Sequence, residues 1–114
     1  MVGGAVFNNN LMFSQRGKNA SGGDSSEYHL INTSDPMNTS NSFRPNFLLD
    51  FENGEAYFGA GGIHLAADSE NSSIEINSGS NSTTIDKNGI NVMTGAATFT
   101  VNDGGLGYTV DSTP

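Results

Sequence analysis

Arg44-Pro-Asn-Phe-Leu-Leu-Asp-Phe-Glu-Asn-Gly-Glu-Ala-Tyr-Phe-Gly59 is the densest apolar segment of the chain. Phe47, Leu49 and Phe51 alternate with Leu48, Asp50 and Glu52, which in a strand sends one set to each face. Asn53-Gly54 follows, then Glu55-Ala-Tyr-Phe58. An Asn-Gly pair between two such runs predicts a β-hairpin closed by a type I′ turn, since both central residues must take positive φ. Pro45 biases Arg44 toward extended backbone and so leads into the first strand.

Outward from this hairpin the two flanks read differently. On the N-terminal side, Ala5-Val6-Phe7 and Leu11-Met12-Phe13 surround Asn8-Asn9-Asn10, predicting two brief strands about a turn. Arg16 to Ser26 is Gly-, Asn- and Ser-rich and reads as a loop. Tyr28-His29-Leu30-Ile31 reads as a third strand, and Asn32 to Ser42 as a loop or linker in which Met37 is the one clearly apolar residue. On the C-terminal side short alternating runs recur. They are Ile63/Leu65, Ile74/Ile76, Ile85 before the turn Lys87-Asn88-Gly89, Ile90/Val92, Phe99/Val101 before Asp103-Gly104-Gly105, and Tyr108/Val110. Turn signals fall about every ten residues, and no helical stripe is long enough to assign. The expected organisation is a loop-rich N-terminal section (1–45), a hairpin junction (46–62) and a repetitive β shaft (63–114).

Composition constrains how such strands are held. Asn, Gly, Ser and Thr make up nearly half of the 114 residues, and Ile, Leu, Val and Phe about a fifth. Two Ile per strand supply about 3–6 kcal/mol of burial. Ordering eight to ten residues costs more, at about 1–2 kcal/mol each. A monomeric core therefore falls short, and a core shared by three chains around one axis closes the gap. The predicted fold is an all-β, elongated homotrimer of short intertwined strands and hairpins, resembling a triple-stranded β-helix or β-prism. Its predicted core is Phe47, Leu49, Phe51, Ile63, Leu65, Ile74, Ile76, Ile85, Ile90, Val92, Phe99 and Val101, with turns at Asn53-Gly54 and Asn88-Gly89.

Net charge is −8 and no basic patch exists, which argues against nucleic acid and anionic membrane as partners. The chain has no Cys, so disulfides and thiolate metal sites are excluded. No window approaches the roughly 18 apolar residues of a membrane span. The first ten residues carry neither a basic nor an apolar signal region.

Phe47-Leu-Leu-Asp-Phe-Glu-Asn-Gly-Glu-Ala-Tyr-Phe-Gly59, continuing to Ile63-His-Leu65, resembles a segment of bacteriophage and prophage tail-fibre and tail-tip proteins. Thr84-Ile-Asp-Lys-Asn-Gly-Ile90 is similar to the Ile-Asp-x-x-Gly-Ile steps of their shafts. The resemblance covers about residues 43–93. It implies an intertwined β homotrimer, a virion location after assembly in the host cytoplasm, and a role as a rigid spacer supporting host attachment. Implied partners are sister chains, neighbouring tail proteins and host-surface glycan. It also suggests a piece of a longer fibre, with a separate short subunit left open.

Candidate chemistry is sparse. Asp50, Glu52 and Glu55 offer the carboxylate pair a glycosidase needs, and Asp50 and Glu52 would share a strand face about 7 Å apart. The plainer reading is a solvated acidic face beside a turn. His29 and His64 lack carboxylates at ligand spacing along the chain, and an axial His64 site needs an inward ring where Ile63 and Leu65 are the expected inward pair. Asp68-Ser-Glu70-Asn71 and Asp24 do not form a calcium ligand ladder. Gly59-Ala-Gly-Gly62 and Gly104-Gly-Leu-Gly107 read as turns or close chain crossings. Sequons at Asn19, Asn32, Asn38, Asn71 and Asn81 arise readily in so Asn- and Ser-rich a chain, and no glycosylation is read from them. No catalytic residue, cofactor or metal is expected. Two alternatives stay open: a carbohydrate-binding adhesion module using Tyr28, Tyr57 or Tyr108, and a glycan-hydrolase fragment using the acidic face.

Overall fold

A computed structural model describes residues 4–66, 68 and 70–93. The expected strands at Phe99/Val101 and Tyr108/Val110, and the glycine turns between them, lie outside the described residues. The architecture is all-β, with two antiparallel sheets. The larger runs β1 (Ala5–Asn8), β2 (Leu11–Ser14), β6 (Phe47–Asp50), β7 (Glu55–Phe58), β8 (Ile63–Ala66), β9 (Ser73–Ser78), β10 (Asn81–Asp86) and β11 (Gly89–Met93) in that spatial order. The smaller joins β4 (Asp24–Ser25), β3 (Gly17–Lys18) and β5 (Arg44–Pro45). From β6 onward each strand pairs with its sequence neighbour, a meander built from successive hairpins. The larger sheet runs through all three expected segments, because β2 pairs with β6 across a long intervening loop.

The central hairpin forms, but its turn is not the expected type I′. Asp50 pairs with Glu55, which leaves Phe51 to Gly54 as a four-residue connection. Gly54 alone takes positive φ, at 69°. The cause is Asp50. Its Oδ1 accepts the backbone N–H of Glu52 (3.0 Å) and Asn53 (3.1 Å), and its Oδ2 accepts the Asn53 amide (2.9 Å). An Asp side chain that caps the following amides starts a turn at once. Phe51 and Glu52 are thereby removed from the strand, and Phe51 sits exposed. The β10–β11 turn is Lys87-Asn88, held by Asp86 Oδ1 accepting the Asn88 N–H at 2.8 Å, with Gly89 (φ 118°) opposite Asp86.

Tyr28–Leu30 is a 3₁₀ turn rather than a strand. Its backbone bonds run locally, Leu30 N–H to Glu27 O and Ile31 N–H to Tyr28 O, so no strand partner is needed. The segment from Asn32 to Ser42 is a stitched cover. Asn32 Oδ1 accepts the N–H groups of Ser34 and Asp35, Asn38 Oδ1 accepts that of Ser40, and Asn41 donates to the Asp35 carbonyl. This cover closes the one buried core among the described residues. Phe13, Phe43 and Leu48 are wholly buried, Leu11 nearly so, and Val6, Tyr28, Ile31, Met37 and Tyr57 pack around them. Gly17 lets the smaller sheet lie against this end, since a Cβ there would collide with the Arg44 carbonyl.

The described part of the molecule is extended. Its radius of gyration is 17.5 Å, against about 13 Å for a compact domain of this length, and its principal extents are 54 × 33 × 26 Å.

Candidate functional site

Cross-strand register assigns every strand residue of the larger sheet to one of two faces, because side chains alternate and paired residues share a face. One face carries Phe7, Met12, Leu49, Ala56, Leu65, Ile74, Ile85 and Ile90 as a single row across all eight strands. A second row on that face is Phe47, Phe58, Ile63, Ile76, Thr83 and Val92. The opposite face carries Val6, Phe13, Leu48, Tyr57, His64, Glu75, Thr84 and Asn91. All ionisable Asp, Glu and His residues of these strands (Asp50, Glu55, His64, Glu75 and Asp86) lie on this second face.

Exposure runs against the usual polarity. Along β9, Ile74 (43%) and Ile76 (45%) are open while Ser73, Glu75 and Asn77 between them are half-covered. Phe7, Phe58, Ile63, Ile85 and Ile90 are likewise open. In a solvated antiparallel sheet the polar residues face water and the apolar ones the core. Among the described residues nothing covers the apolar face.

Of the residues expected to form a shared core, Phe47, Leu49, Ile63, Leu65, Ile74, Ile76, Ile85, Ile90 and Val92 fall together on the apolar face. Phe51 does not join them, because the Asp50-capped turn has withdrawn it from the strand. Phe99 and Val101 lie outside the described residues. The structure adds Phe7, Met12 and Phe58, which sequence reading missed. Counting outward from an Asp50–Glu55 pair, rather than from Asn53-Gly54, places Phe58 opposite Phe47 (ring centroids 5.4 Å apart).

On the reverse face the register assembles a small polar cluster. Tyr57 stacks on His64, with centroids 4.2 Å apart and planes within 5°. His64 Nε2 lies 2.8 Å from Glu55 Oε1, and Nδ1 lies 3.7 Å from Glu75 Oε1. The carboxylates absent near His64 in sequence are thus supplied by the neighbouring strands. His64 points away from Ile63 and Leu65. Among the described residues no group of three potential His, Asp or Glu ligands gathers at metal-binding geometry. Burial, reinforced by the Glu55, Asp50, Asp35 and Glu75 carboxylates, pushes the Tyr57 hydroxyl up to about 12.

Two open grooves flank Tyr57. One, of about 540 Å³, is lined by Asp35, Asp50, Glu52, Asn53 and Glu55 among others. Its carboxylates are engaged: Asp50 in its turn, Glu52 by the Asn10 amide (3.1 Å), and Glu55 by His64. Glu52 sits in the turn, so it does not share a strand face with Asp50. The other, of about 500 Å³, lies among Met37, Arg44, Gly59 to Gly62, His64, Glu75 and Asn77. Asn77 donates to the Gly61 carbonyl and to Glu75 there, both at 3.1 Å. The stretch Gly59 to Gly62 is the β7–β8 turn, with Ala60 buried at positive φ (54°). Tyr28 packs at the internal core, and Tyr108 is outside the described residues.

The other acidic candidates are local caps. Asp68 accepts the N–H groups of Glu70 (2.7 Å) and Asn71 (2.6 Å), which holds its carboxyl below the usual range. Asp24 is held low by a hydrogen bond from Lys18 at 2.6 Å. Sequon residues Asn19, Asn32 and Asn38 spend their side-chain oxygens on neighbouring backbone amides. No family model matches the chain, and comparison with the curated proteins and the solved structures returned no match.

Proposed function

We propose that the chain is a non-enzymatic structural piece of a bacteriophage tail fibre or tail tip, a rigid trimeric spacer that supports host attachment. The observation that carries this reading is the apolar face of an extended eight-stranded sheet, which nothing among the described residues covers. A sheet whose described residues bury one small core at one end and present a hydrophobic face along its length is suited to assembly with other chains, where that face becomes the core. The segment that resembles tail-fibre proteins, residues 43–93, spans β6 to β11, the part of the sheet in which the repeats follow one another as hairpins. Engagement of Asp50, Glu52 and Glu55 in structural contacts supports the non-enzymatic reading over a glycan hydrolase. Stacking of Tyr57 against His64 occupies one ring face that an adhesion module would offer to a sugar.

Immunogold labelling of phage particles, using an antibody raised against this chain, tests the role. Gold on the tail or its fibres is the expected result. Unlabelled particles, with the protein left in the cell fraction, would overturn it.

A further inference from the structure

We infer that the uncharged face of the eight-stranded sheet is the surface on which copies of this chain pack against one another, its apolar rows meeting their equivalents from sister chains. The inference deepens the structural reading above by naming the partner and the surface. Three features point to a second copy as the occupant.

The first is charge. The chain carries −8, and the carboxylates Asp50, Glu55, Glu75 and Asp86 of the strands all stand on the reverse face. Copies that meet by the reverse face bring like charges together. Copies that meet by the apolar face bring none, and keep their carboxylates in water on the outside.

The second is extent. Eight strands at about 4.8 Å spacing and four to six residues in length give a footprint of about 500–750 Å² before side-chain relief is counted. That is the scale of one side of a stable protein–protein interface, about 800 Å² of accessible surface. It is also too broad for a single added strand to cover.

The third is chemistry. Ile63, Ile74, Ile76, Ile85 and Ile90 offer aliphatic side chains with no donor or acceptor. A matching occupant needs an equally long apolar surface free of charge, and the same face of another copy is one.

Neighbouring threonines supply the test. Thr83 stands on the apolar face between Ile76 and Val92, and Thr84 stands on the reverse face between Glu75 and Asn91. The chain has no cysteine, so Thr83→Cys and Thr84→Cys each introduce a single thiol. Each variant is treated with a short bismaleimide and resolved under denaturing conditions. Thr83→Cys is expected to yield covalent dimers, the largest product that one thiol per chain allows, and Thr84→Cys only monomer. Ser78→Cys, on the apolar face at the end of β9, gives a second probe should Thr83→Cys not fold. Equal cross-linking of both faces, cross-linking through Thr84→Cys alone, or none from any apolar-face probe would overturn the inference. Labelled tails with cross-links through Thr84→Cys would leave the role standing and remove this surface. Apolar-face cross-links without tail labelling would do the reverse.

Discussion

Replacing Ile76 by Asp separates the two faces of the sheet energetically. Within one chain Ile76 is 45% exposed, so an Asp there forfeits only about 1 kcal/mol of partial burial and strand preference. The substitution should therefore disturb a single chain little by itself. In an assembly built on the apolar face, each copy also loses the rest of the isoleucine's burial, about 1 kcal/mol more. It sets a carboxylate into an apolar layer as well, at a penalty of several kcal/mol per ion. Even 4 kcal/mol in total weakens association about a thousandfold. Light scattering at micromolar concentration should find Ile76→Asp as monomer. Glu75→Ala, one residue away on the reverse face, removes a contact with Asn77 and a partly exposed pairing with His64. That change should cost about 1 kcal/mol at most and leave the mass unchanged. Assembly of Ile76→Asp at wild-type mass, or equal effects from both variants, would refute the face assignment.

Other parts of the fold make separate predictions. Leu48→Ala empties a wholly buried site and should cost about 2–5 kcal/mol, read as a lowered melting temperature. Gly17→Ala drives a methyl into the Arg44 carbonyl and should cost about 1–3 kcal/mol in chemical denaturation by detaching the smaller sheet. Asp50→Ala strips three hydrogen bonds from the β6–β7 turn, and a loss of about 1–2 kcal/mol should appear in the same assay. Tyr57 has a raised folded-state value, so its neutral form stabilises the fold below pH 10. That stability is lost as pH rises from 10 through about 12, and Tyr57→Phe should flatten this part of the denaturation profile.

Strand alternation and turn residues made the all-β class and most hairpins legible from residues alone. The apolar parity of Ile74/Ile76 and of Ile63/Leu65 is unambiguous because polar residues separate each pair. Phe47-Leu48-Leu49 is different, since both parities are apolar. Only the fold-back of residues 26–43, which seats Phe43 on Phe13, decides that Leu48 belongs to the internal core. Asn-Gly signalled a turn but not its length, because the capping carboxylate of Asp50 lies upstream of the pair. The Tyr28–Leu30 segment has the composition of a strand, and local backbone bonds outcompeted it for lack of a neighbouring strand. The Glu55–His64–Glu75 cluster joins residues nine and eleven positions apart, so it is visible only once register is known.

Mass in solution tests the central claim most directly. The chain is 11.9 kDa. Native mass spectrometry or light scattering should return about three times that value, roughly 36 kDa, as expected for a closed cyclic assembly. A folded monomer at 11.9 kDa, with the isoleucine face still open to solvent, would contradict the account.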